Sequence, residues 1–149
     1  MTRQHRRLAP ARHSDEQDYL ARLGRVRFVL LTTYRVSGHP VATAVWVVPY
    51  GDHIAVLTNA NSGKVRRLQH NKAVTLVPCD PRGKPNPMAL PISGHADIRA
   101  DQDAVDEIWR LIRRKYAVEH GVLRVLGWLK PALRRWDGPQ VALLITPED

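Results

Sequence analysis

Ile54-Ala55-Val56-Leu57-Thr58-Asn59-Ala60-Asn61-Ser62-Gly63-Lys64-Val65-Arg66-Arg67-Leu68 carries an apolar strand through a polar loop into a short basic helix. The strand reads as Ile54 to Thr58 and the helix as roughly Gly63 to Gln69. A hydroxyl, exposed backbone amides and a fixed cation converge where the strand hands over to the helix. The first amides of a helix have no intrahelical acceptor, and the dipole is positive there, so this junction attracts phosphate. Lys64 at a helix start is unfavourable for the dipole unless an anion sits beside it. The stretch therefore points to a phosphate-bearing ligand on the rim of a β-structure. It is not a P-loop: Thr58 stands where Gly belongs, and Val65 where Ser or Thr would hold magnesium.

Working outward, Val26 to Tyr34 is β-branched and apolar, which predicts a strand. Val36-Ser37-Gly38-His39 predicts a hairpin turn into Pro40 to Pro49. That second strand is apolar on both faces, so it is expected to be buried on both. Tyr50-Gly51-Asp52-His53 turns into the Ile54 strand. Ala73 to Asp80 and Leu90 to Arg99 are the fourth and fifth strands, joined by the loop Pro81 to Pro87. Gln140 to Thr146 is the sixth. Ser14 to Gln17 has the form of a capping box for a helix ending near Leu23 and Gly24. Asp101 or Asp103 caps a helix reaching about Ala117, with Val105, Ile108, Trp109, Leu111, Ile112 and Tyr116 mainly on one face. A further helical stretch covers Leu123 to Leu129. Hairpins in series with few helices predict an antiparallel barrel closed on itself.

The chain has 149 residues, 44% of them apolar and 25% charged, which suits one folded domain. Residues 1–13 read as a basic flexible tail and 14–149 as the single domain. No apolar run approaches the ~20 residues of a membrane span. The basic N-terminus lacks the apolar segment of a secretory signal. The lone Cys79 excludes an intrachain disulfide, and the expected location is the cytoplasm.

The formal charge of +9, from 23 Lys and Arg against 14 Asp and Glu, favours anionic partners. A nucleic-acid-binding module with Arg-rich ends is one reading of that charge. Only one Phe, four Trp and four Tyr are present, and no nucleic-acid motif is found, so nucleic acid is not the expected partner. The seven histidines show no paired metal-ligand spacing. No Gly-x-Ser-x-Gly elbow or Cys/His/Asn pattern is present. Missing acid–base machinery argues against hydrolysis and agrees with cofactor chemistry, where the protein positions a reactive group it does not itself supply. Taken one at a time, Lys64 also fits a solvated helix face, Thr58 and Asn59 a turn cap, and Trp46 a core position.

In sequence, "PVATAVWVV", "GDHIAVLTNANSGKVRRLQHNKAVTLVPCD" and "SGHADI" resemble the pyridoxamine-5'-phosphate-oxidase-like split β-barrel family. The branch they are most similar to is the actinobacterial deazaflavin (coenzyme F-420)-dependent oxidoreductases, over about Gly24 to Thr146. The resemblance implies a six-stranded antiparallel split β-barrel with flanking helices, mainly β with α, working as a homodimer. It implies hydride transfer between coenzyme F-420, or FMN, and an unsaturated small-molecule substrate, with no catalytic side chain. The cofactor would be held by Ala42, Thr43, Ala44, Val45 and Trp46 beside the ring, and by Thr58, Asn59, Ser62, Gly63, Lys64 and Arg67 at the phosphate. Arg66, Arg67 or Lys72 would meet an anionic oligoglutamate tail, and Arg135 or Trp136 would complete the partner's site. A non-catalytic flavin, deazaflavin or heme carrier on the same barrel is the alternative. The C-terminal Arg-x-His that takes the vitamer in pyridoxamine-phosphate oxidases is absent from Leu143 to Asp149, which counts against vitamin B6 oxidation.

Overall fold

The computed structural model describes residues 22–118 and 139–148, together with Asp18. Its strands are β1 (Phe28–Tyr34), β2 (Pro40–Val45), β3 (Val48–Tyr50), β4 (His53–Asn59), β5 (Ala73–Cys79), β6 (Ile92–Arg99) and β7 (Gln140–Pro147). Two helices are interposed, α1 (Gly63–His70) and α2 (Gln102–Val118). Arg22 to Arg25 are also helical. The Ser14 capping box, the Leu123 to Leu129 helix and Arg135 and Trp136 lie outside the described residues.

The strands form one seven-stranded antiparallel sheet in the order β2-β1-β5-β6-β7-β4-β3. The turns are as expected. Gly38, at φ 89, lets Arg35 and His39 pair across the first hairpin, and Gly51, at φ 58, does the same between Tyr50 and His53. β2 and β3 are the two ends of the sheet, yet only Trp46 and Val47 separate them in the chain. Three residue steps span at most about 10 Å. The sheet must therefore curl until its ends meet at this corner, as a split barrel does.

This corner corrects the expected continuous strand from Pro40 to Pro49. The break at Trp46 and Val47 has a physical cause in α2. The Val47 N–H donates to the Tyr116 hydroxyl at 3.0 Å, and the Val47 carbonyl accepts from Lys115 Nζ at 2.7 Å. Side chains of a helix thus satisfy the backbone groups that a neighbouring strand would have taken. Lys115 Nζ also donates to the Val26 carbonyl at 2.8 Å, and Tyr116 donates to the Arg27 carbonyl at 2.7 Å. The barrel is closed by this clasp, and by the chain itself, rather than by a strand ladder. Splitting the second strand raises the strand count among the described residues from the expected six to seven.

The expectation that the second strand is buried on both faces also fails. Among the described residues β2 pairs with β1 alone, and its residues are exposed or half-buried until Val45. It is an edge strand, with Pro40 at its start, where the missing N–H does least harm.

Alternation places the core. Val29, Leu31, Val45, Ile54, Val56, Val74, Leu76, Leu143 and Ile145 fill the inside of the curl. Leu68 of α1 joins them, so the short helix plugs one end. The opposite face of β4 and β7, through Ala55, Leu57, Ala142 and Leu144, packs on Val105, Ile108, Ile112 and Tyr116 of α2. Asp101 rather than Asp103 caps α2, accepting from the Ala104 N–H at 3.3 Å.

Candidate functional site

Eight residues are too few for a helix to stand alone in water. α1 is held by Val65 and Leu68, both buried, each contributing about 1.5–3 kcal/mol by burial. Its entry is wound by the loop the sequence singled out. Asn59 Oδ1 accepts from the Asn61 N–H at 2.8 Å, and the Ser62 N–H donates to the Asn59 carbonyl at 3.0 Å. Thr58 Oγ1 donates to Ser62 Oγ at 3.2 Å, and Ser62 Oγ caps the helix by accepting from the Val65 N–H. The Gly63 and Lys64 amides meet no acceptor among the described residues.

Two cations of α1, Lys64 and Arg67, are close enough to influence one another. Lys64 is half-buried and has no hydrogen-bond or ion-pair partner among the described residues. Burial, and then the neighbouring Arg67, lower its pKa below the ordinary lysine value. Arg67 Nε donates to Thr33 Oγ1 at 2.6 Å. Burial, and then Arg35, lower the pKa of Arg67 as well. Arg35 follows the end of β1, two residues beyond Thr33, and is exposed. Arg67 thus lies within electrostatic reach of both Lys64 and Arg35, and no carboxylate among the described residues pairs with any of the three. A charge cluster of one sign raises its own energy until an anion joins it.

β1 connects this corner to β2. Thr33 is opposite Val41, Leu31 opposite Thr43 and Val29 opposite Val45. Val41, Thr43 and Val45 therefore face inward with Leu31, while Ala42 and Ala44 lie on the outer face beside Thr32 and Leu30. The far edge of β2 offers alternate peptide groups with no strand partner among the described residues. An edge backbone of this kind suits the alternating donors and acceptors along the rim of a fused heteroaromatic ring.

The structure thus brings Thr58, Asn59, Ser62, Gly63, Lys64 and Arg67 together, with Ala42 and Thr43 one strand away. Trp46 is elsewhere: it stacks on Tyr116 of α2, with centroids 4.7 Å apart and planes 21° from parallel. Of the residues expected to meet an anionic tail, Arg66 donates to the Asn61 carbonyl at 3.2 Å and Lys72 pairs with Asp97 at 3.1 Å. Arg67 alone of the three belongs to the cation cluster. Thr33 and Arg35 were not anticipated. The signal was present, since Thr33 is a polar residue at an inward position of the Val29, Leu31, Thr33 alternation.

A curled antiparallel sheet plugged by a cation-bearing helix defines a split-barrel protein. Residues 16–149 match the pyridoxamine 5'-phosphate oxidase family, and the chain belongs to it. No curated protein matches the chain. Among solved structures it is similar to a conserved hypothetical protein of Mycobacterium tuberculosis, with TM-score 0.67 and 18% identity, covering 89% of this chain and 80% of that one. It is also similar to an F-420 reductase, with TM-score 0.59 and 22% identity over 85% of this chain and 90% of that one. The heme storage protein HutZ of Vibrio cholerae matches with TM-score 0.55 and 14% identity, over 91% and 89%. At these identities the likenesses establish a shared fold. No helix among the described residues is long and apolar enough to cross a membrane.

Proposed function

We propose that this chain is an oxidoreductase that binds a phosphate-bearing deazaflavin, coenzyme F-420, with FMN as the alternative cofactor. The observation that carries the reading is the group of cations Lys64 and Arg67 on α1, with Arg35 near Arg67, none of them paired with a carboxylate among the described residues, one strand from the open edge of β2. Lys64 and the amides of Gly63 and Lys64 would hold the phosphate. The backbone of Ala42 to Val45 would lie along the ring, with Thr43 shaping its pocket. Trp46, through its stack on Tyr116, would fix where that strand ends. When bound, the cofactor supplies the hydride chemistry with an unsaturated substrate. The chain's own residues bind and orient it. The matched F-420 reductase adds weight to the choice of cofactor.

The working unit would be a homodimer in the cytoplasm. β2 and its hairpin leave apolar surface open in one chain, with Val36 exposed and Val41 and Ala44 only half-buried. Side-by-side titrations with coenzyme F-420, FMN and heme test the reading. Binding of either phosphorylated cofactor, weakened in Lys64→Ala, supports it. Heme binding alone, indifferent to Lys64, would replace it with a carrier. Light scattering at micromolar concentration tests the dimer, and a strictly monomeric mass would rule out a shared site.

A further inference from the structure

Arg67 has an arrangement that a solvent-facing arginine does not need. Its Nε is anchored at 2.6 Å to Thr33 Oγ1, a hydroxyl with 0% exposure at a strand position where the two preceding inward residues are Val29 and Leu31. Anchoring through Nε leaves both terminal nitrogens of the guanidinium for another partner. Those nitrogens lie over the first residue of α1. A Cβ added to Gly63 would come within 2.8 Å of Arg67 Nη1. Gly63, the first residue of α1, thus keeps clear the space into which the guanidinium reaches.

We propose that Thr33 is a positioning residue for anion binding: it locks Arg67 as a two-toothed fork above the α1 N-terminus, and Gly63 makes room for it. The proposal deepens the phosphate assignment above and rests on it. It gives the ligand's phosphate two kinds of partner, a point-like ammonium from Lys64 and a planar fork from Arg67 that engages two oxygens at once. The Thr33 hydroxyl does not touch the ligand. Its effect passes through Arg67, because a guanidinium freed from its Nε anchor must be ordered afresh each time the ligand binds.

Calorimetric titration of the full chain with FMN and with riboflavin, which shares the ring but lacks the phosphate, tests this. The variants are Thr33→Val, Thr33→Ser, Gly63→Ala, Arg67→Ala and the double variant Thr33→Val/Arg67→Ala. Thr33→Val keeps the side-chain volume and is expected to weaken FMN binding about tenfold while leaving riboflavin unchanged. Thr33→Ser restores the hydroxyl and most of the affinity. Gly63→Ala, which intrudes on the guanidinium, matches the loss in Thr33→Val. In the Arg67→Ala background, Thr33→Val has no further effect. Equal loss for FMN and riboflavin, failure of Ser to rescue, or an undiminished Thr33→Val effect without Arg67 would each overturn the positioning role. Lys64→Ala, run in parallel, separates the two levels. If it weakens FMN binding while Thr33 and Arg67 prove uncoupled, only the positioning role falls. If neither Lys64 nor Arg67 matters, or the wild-type chain binds neither FMN nor coenzyme F-420, both fall.

Discussion

Two lysines, one at each end of the β1–β2 hairpin, make the sharpest contrast in this molecule. Lys115 is 6% exposed, and its ammonium donates to the Val47 and Val26 carbonyls at 2.7 and 2.8 Å and lies 4.7 Å from the Tyr116 ring centre. Lys64 is half-buried beside another cation and meets no acceptor among the described residues. A cation whose hydrogens are taken up by the protein serves the fold. A cation kept partly from water, next to a like charge and free amides, serves something that is not part of the chain. Side-chain type and burial do not separate these roles. The partners do.

The largest effect should come from the satisfied lysine. Lys115→Met removes two charged hydrogen bonds at the barrel closure, one to the buried Val47 carbonyl and one to the part-buried Val26 carbonyl. Each lost hydrogen bond to a charged group costs about 1.5–3 kcal/mol, so destabilisation of about 3–5 kcal/mol is expected. That is a fall in Tm on the order of 10 °C for a domain of this size. Urea and thermal denaturation read this directly, and an unchanged Tm would erase the contrast from the structural side.

Lys64→Ala should do the reverse. Cofactor affinity should fall roughly 10- to 100-fold, since a charge-assisted bond to phosphate contributes about 1.5–3 kcal/mol and each ~1.4 kcal/mol is a factor of ten. The Tm should hardly move, because the ammonium gives the unliganded fold little. Lys64→Arg should recover only part of the affinity at so crowded a helix start. Titration at fixed ionic strength decides, and equal affinities for wild type and Lys64→Ala would return Lys64 to an ordinary helix face.

A smaller effect follows from protonation. The folded-state pKa of Lys64 is lowered, by burial first and by Arg67 second. The unfolded chain therefore holds this proton more tightly, and the unliganded fold gains stability as pH rises through the window between the lowered and the ordinary value. A bound phosphate favours the charged form and draws the pKa back up. Affinity for FMN should accordingly drop on the alkaline side, beginning below the ordinary lysine value of 10.5, with proton uptake on binding. In Lys64→Ala that drop should vanish. An identical alkaline profile in both proteins would assign it to another group.

The smallest effect is expected for removal of residues 1–13, which carry no apolar periodicity. Affinity should stay within about twofold, because a segment without an apolar face has little with which to dock. A larger loss would bring the tail into the site and add a third region to the comparison.

Local chemistry alone determined much of this. Ser62 before Gly63, followed by Val65 and Leu68 at helical spacing, defines the start and buried side of α1 wherever it sits. The β-branched runs of β1, β5 and β7 define strands to within a residue or two. The Thr58 to Lys64 loop is legible as an anion-binding turn because its cap, its Asx turn and its free amides are all made between near neighbours in sequence. Tertiary structure decided what depends on distant partners. Trp46 and Val47 belong by propensity to a strand, and leave it because Tyr116 and Lys115 satisfy Val47 from a helix 68 residues or more along the chain. Arg67 reads as one more basic helix residue until Thr33, 34 residues away, takes its Nε. Lys115 and Lys64 are indistinguishable as letters. Their roles separate only when the curl of the sheet brings carbonyls to one and, among the described residues, none to the other, because a charge is stabilised by the groups within a few ångströms of it and only folding chooses those groups.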